Sequence, residues 1–173
     1  MKISKNNILK LSILLSIICF FSLNIFSNNT FNRISLDTTQ NNLYTISSGT
    51  EKFLKNIDEP IHLRLFMSST LVEIAPQLST YANRVESLLY SYANMSEGKI
   101  TLEIIDPKPF SDQEDRAVGM GISPFGGSNN NDPLYFGLAA TNSTTGQKNI
   151  NVFSPEREPF LEYDLTRLIA ELA

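Results

Sequence analysis

The chain has 173 residues, a formal net charge of −4, a single cysteine and a single histidine. One Cys and one His exclude a disulfide, a Cys-based metal site and a multi-histidine zinc site within the chain. An acidic, tryptophan-free chain without clustered Lys or Arg is also a poor fit to nucleic acid or anionic lipid.

Residues 1–27 come first. Lys2, Lys5 and Lys10 lead into an uncharged apolar run, Leu11 to Phe26, which reaches 19 residues when counted from Ile8, and no acidic residue precedes Asp37. At ~1.5 Å per helical residue such a run nearly spans a ~30 Å hydrocarbon core. The basic flank stays in the cytoplasm, so the residues after Phe26 lie across the membrane from it. A cleaved secretory signal is the alternative, but the length of the run and the lack of a small-x-small pair at its end favour a retained anchor. Either way the rest of the chain is extracytoplasmic. Cys19 lies inside the run, so the outer part holds no thiol.

Residues 28–45 read as a polar linker, with Ile34 to Asp37 alternating as a short edge strand. The α/β domain follows at 46–173, long enough for one domain. Ser48 with Glu51 suggests a capping box opening a short helix that ends before Pro60. Ile61 to Met67 alternates and then turns wholly apolar, as a central strand does. His62 and Arg64 share one side of it and read as structural. Leu71, Ile74, Leu78, Tyr81, Val85, Leu88, Leu89 and Tyr92 recur at helical spacing and predict one long amphipathic helix, with Pro76 in its first turn or kinking it. Lys99 to Ile105 is the second strand. A strand, helix and strand in this order predict a right-handed crossover and a parallel pair.

Beyond it, Ser111 and Glu114 form a second capping box for a helix that stops at Gly119 to Gly121. The sequence GGSNNN at 126–131 reads as a loose tip. Leu134 to Ala140 and Gln147 to Phe153 predict a hairpin. Phe160 to Ala173 is a last helix with no stop signal after it, which predicts that the chain continues beyond residue 173. The carboxylates Asp106, Asp112, Glu114 and Asp115 read as helix N-terminal acids rather than a metal or acid/base site. No cofactor is expected.

The element order β-α-β-α-β-β-α suggests a thioredoxin-like three-layer sandwich with a mixed four-stranded sheet, preceded by the transmembrane helix. Ser68 and Leu71 stand where that fold carries paired cysteines, and Asp132-Pro133 where it often has a cis-proline. Without the thiols there is no redox chemistry, so the fold supplies a scaffold and no activity.

Three stretches resemble the GldG-like family of ABC transport auxiliary components, linked in some bacteria to gliding motility. They are Ser35 to Thr39 running into Asn42 to Ser47, with Gly49-Thr50 and Leu54; Lys99 to Glu103 into Asp106-Pro107; and Tyr135 to Leu138 with Phe160 to Thr166. Family members continue into a second α/β domain and a C-terminal span. The resemblance implies a non-enzymatic subunit with one span in the inner membrane and its domain on the periplasmic side. Its partners would be an ABC permease and ATPase. Partner-binding candidates are Asp37, Thr38, Tyr44, Phe160, Glu162, Tyr163 and Asp164. A free-standing periplasmic ligand- or cell-wall-binding module is the alternative.

Overall fold

A computed structural model describes residues 15–16, 46–126 and 132–173, with Val72 described by its backbone alone. The chain divides into two units, Met1–Leu43 and Tyr44–Ala173, and the second carries the sheet and the helices packed on it. Most of the expected anchor, all of Asp37, Thr38 and Tyr44, and the 126–131 tip beyond Gly126 lie outside the described residues. Among the described residues no helix is long and apolar enough to cross a membrane.

The clearest alternation in the sequence occupies the middle of the sheet. Strand β1 (Ile61–Met67) pairs in parallel with β2 (Ile100–Ile105) and antiparallel with β3 (Phe136–Asn142), which in turn pairs antiparallel with β4 (Gln147–Ile150). The order is β2-β1-β3-β4, an α/β arrangement with a mixed four-stranded sheet. The expected parallel pair and hairpin are both present. β3 starts and ends two residues later than its sequence pattern suggests. It reaches Asn142, whose Oδ1 accepts from the amides of Thr144 and Gly146 and so closes the turn.

Pleating sends successive side chains to opposite faces. Ile61, Leu63 and Leu65 join Ile100, Phe136, Leu138 and Ala140 in the main core. Phe66, Ile105 and Ala139 join Ala117, Ile122 and Tyr135 in a smaller cluster on the other face. The helices are α1 (Ser48–Lys55), α2 (Leu71–Ile74), α3 (Ser79–Met95), α4 (Asp112–Gly119) and α5 (Leu161–Ala170). Residues of α1, α3 and α5 build the main core, whereas Ala117 brings α4 to the smaller one.

Two sequence expectations for the helices are corrected. The cap of α1 is Ser47 rather than Ser48: its backbone is extended and its Oγ accepts from the Thr50 amide at 3.3 Å. Glu51 therefore falls one position past the capping-box site and pairs with Lys55 at 2.7 Å. The long helix expected from Leu71 is also broken. Proline has no N–H and drives the residue before it out of the helical region. Ala75 accordingly sits at φ −130°, ψ 67°, and the chain passes through a 3₁₀ turn, Pro76–Leu78, before α3 begins. No cis peptide bond occurs among the described residues, so Asp132-Pro133 is trans, the default even before proline. The last helix ends at Ala170, with Leu172 beyond it buried and its carbonyl accepting from Asn142 Nδ2.

Gly137 is required by a close approach. A Cβ there would lie 2.8 Å from both Ile122 Cγ2 and the Ile150 carbonyl, and closer still to the Asn151 carbonyl. Gly137→Ala is expected to cost about 1–3 kcal/mol through overpacking against backbone that cannot yield. A lowered urea midpoint at unchanged slope would report it.

Candidate interaction surface at the start of the last helix

The segment from Ser154 to Asp164 is held from below and presents aromatic and charged groups outward. Its first part is a 3₁₀ turn, Pro155–Phe160, whose two prolines suit a short helical turn with few backbone donors. Arg84 on α3, almost fully buried, reaches Glu158 at 2.8 Å. Tyr81 packs edge-on against Phe136 and Phe153 beneath the same segment. Burial, with Glu158 and Asp164 nearby, pushes its phenol up to about 12. A group so placed stays neutral at physiological pH and serves as packing.

The underside of α5 is fixed by a buried hydroxyl network. Tyr92 on α3 donates to the Glu162 carbonyl at 3.1 Å and shares a 2.7 Å contact with Thr166 Oγ1. Thr166 Oγ1 lies 3.5 Å from Thr50 Oγ1 on α1. Three helices thus meet at one phenol, which burial holds well above its ordinary value. Glu162 turns its side chain to α1, where Oε1 accepts from the Ser47 amide at 3.0 Å. Burial works to raise this carboxyl, but hydrogen bonds from Thr50 and Ser47 outweigh it and hold it below 4.5.

Of the four described candidates, the structure therefore separates two roles. Glu162 is spent inside the domain. Phe160 and Tyr163 are 57% and 63% exposed and face away from it. Asp164 takes a bidentate contact from Arg157, Nε to Oδ2 at 2.9 Å and Nη2 to Oδ1 at 2.6 Å. The same guanidinium lies 5.9 Å from the centroid of the Phe160 ring, within cation–π range. Arg157 was not singled out by the sequence, and no local motif marks it. Its importance comes from sitting seven residues before Asp164 across a turn.

Arg157 and Asp164 also form one end of an open groove of about 300 Å³ between α5 and the edge strand β4. Ile150 and Leu168 supply apolar surface. Glu171 accepts from both Lys148, at 2.8 Å, and Arg167, at 3.0 Å, at the far end. These contacts, Lys148 first, hold the Glu171 carboxyl below its usual value, and Asp164 raises Arg157. The rim is therefore charged but internally paired.

The remaining sequence candidates resolve into structural contacts. His62 Nδ1 meets Thr101 Oγ1 at 2.6 Å across the parallel pair. Arg64 lies 3.3 Å from Glu103, which Arg116 approaches at 3.5 Å. Ser111 caps α4 as expected, accepting from the Glu114 amide. Asp106 accepts from the Ser69 amide at 2.9 Å. Among the described residues no group of three or more His, Cys, Asp or Glu is gathered to hold a metal.

Residues 40–141 match the model of a family described as a domain of unknown function, DUF7088. No curated protein and no solved structure matches the chain.

Arg84→Met leaves Glu158 without its cation and is expected to cost about 1–3 kcal/mol, less than a fully buried pair because Glu158 is one-third exposed. Hydrogen exchange at residues 155–160 should speed up most. A second expectation concerns pH. The Glu162 carboxyl is depressed on folding, so its contribution is complete above pH 4.5 and is lost as pH falls through the lower folded value. Protection of the Ser47 amide should fall in that window in the wild type, whereas Glu162→Gln should show no such step.

Proposed function

The chain belongs to the DUF7088 family, a domain of unknown function, and on that premise we propose that it is a membrane-anchored auxiliary subunit of an ABC transporter complex. In this reading residues 1–27 tether the domain to the inner membrane, and the domain works on the periplasmic side as a non-enzymatic binding module. The thioredoxin-like assignment belongs to the same reading: a parallel β1–β2 pair followed by an antiparallel hairpin has the order that fold uses. Support for the partner comes from the GldG-like stretches, two of which, Lys99 to Glu103 and Tyr135 to Leu138, fall on β2 and β3, each with the residue just before the strand.

The observation that carries the proposal is the exposed aromatic pair Phe160 and Tyr163, set on a helix start that is fastened from beneath. Large aromatics held rigid at a surface lose little entropy on docking and dominate interface energies. A tether keeps such a surface at high effective concentration near partners in the same membrane. The groove between α5 and β4 favours a second reading, a free-standing ligand- or cell-wall-binding module, because concave sites with apolar floors suit small molecules.

Purification of the full chain from native membranes in mild detergent is expected to bring along a permease and an ATPase. The double variant Phe160→Asp, Tyr163→Asp should lower their recovery about tenfold, the loss of a modest hot spot, without shifting the thermal midpoint. Recovery of the folded protein with no permease would remove the proposal.

A further inference from the structure

The segment before α4 holds an aromatic in a conformation that neither the helix nor the core requires. Phe110 is 103% exposed, the most exposed of the large hydrophobic residues among those described, and its backbone lies at φ +60°. An L-residue in the left-handed region costs about 1–2 kcal/mol, and a Phe gains nothing there that a Gly or Asn would not. A hydrophobic residue just before a helix cap usually packs on the fourth helical residue. That partner is absent: Ser111 is the cap, so the position falls on Asp115. The ring is therefore left outside.

The conformation is nonetheless held. Glu114 reaches back past its expected capping target, and Oε2 accepts from the Phe110 amide at 2.7 Å. Its other oxygen accepts from the Tyr135 hydroxyl at 2.8 Å, anchoring it to the approach to β3. Burial and this carboxylate together raise Tyr135 to about 12, so the phenol stays a donor. Pro107 and Pro109 stiffen the approach. A strained, braced and fully exposed aromatic is a knob displayed to something else.

Charge around the ring selects the kind of partner. Residues 106–116 hold four carboxylates, Asp106, Asp112, Glu114 and Asp115, against two cations, Lys108 and Arg116. Arg116 is also engaged by Glu103. Such surroundings repel anionic lipid and favour a basic rim.

We propose that Phe110 is an anchor for a protein partner carrying an apolar pocket rimmed by Lys or Arg, at a surface separate from Phe160 and Tyr163. The test replaces Phe110 by the photo-crosslinker p-benzoylphenylalanine in the full membrane-bound chain, with exposed Lys52 replaced as the control position. The expected result is a discrete protein adduct from position 110 and none from position 52. Added salt and the double variant Asp112→Lys, Asp115→Lys should each reduce it about tenfold. Phe110→Gly should leave the thermal midpoint unchanged or higher, because Gly adopts this φ freely. An adduct with lipid, no adduct, or an adduct indifferent to charge reversal would overturn the proposal. So would a fall in the midpoint of more than about 4 °C on Phe110→Gly, which would make the ring structural.

Discussion

A phenol cannot be buried without somewhere to send its proton, and Tyr92 meets that requirement by tying three helices together. Its hydroxyl faces the Glu162 carbonyl and Thr166 on α5, and through Thr166 it nears Thr50 on α1. Unmade, such a bond would leave a buried polar group costing about 1–3 kcal/mol. Made, it sets the start of α5 over α3 at one height. The outward positions of Phe160, Tyr163 and Asp164 follow from that setting, since the apolar side of the same helix is committed to the core.

Beneath these contacts the sheet does the same work by geometry. β1 is flanked on both sides, so its alternate residues must satisfy two cores of unequal size. The larger core takes Leu63 and Leu65; the smaller takes Phe66 with Ala117. Where α4 does not reach, the second face carries polar cross-strand contacts instead, His62 with Thr101 and Arg64 with Thr141 and Glu103. A half-covered sheet face lined with cross-strand polar contacts is stable in water.

Both candidate surfaces share one design. Each begins at a helix start with prolines just before it, and each is braced by a side chain from a neighbouring element, a guanidinium in one case and a phenol in the other. Arg84 holds Glu158, and Tyr135 holds Glu114. Rigid backbone with outward aromatics lowers the entropy lost on association, which is the term that area alone does not cover.

Much of this was legible from residue order. Alternation located β1 with its limits, the crossover rule predicted the β1–β2 pairing, and Ser111 with Glu114 located the start of α4. For Pro76 the sequence predicts a first-turn position or a kink within one helix; the complete break before α3 goes further, because Ala75 leaves the helical region and a 3₁₀ turn intervenes. The roles of Arg157, Glu162 and Phe110 were not legible. Each depends on a group far along the chain or across a turn: Asp164 for Arg157, Ser47 for Glu162, and Tyr135 bracing the glutamate that holds Phe110. Periodicity is local and sets which face of an element is apolar. Which polar side chain is spent inside the domain, and which is left to face a partner, was decided only when the helices came to rest on the sheet.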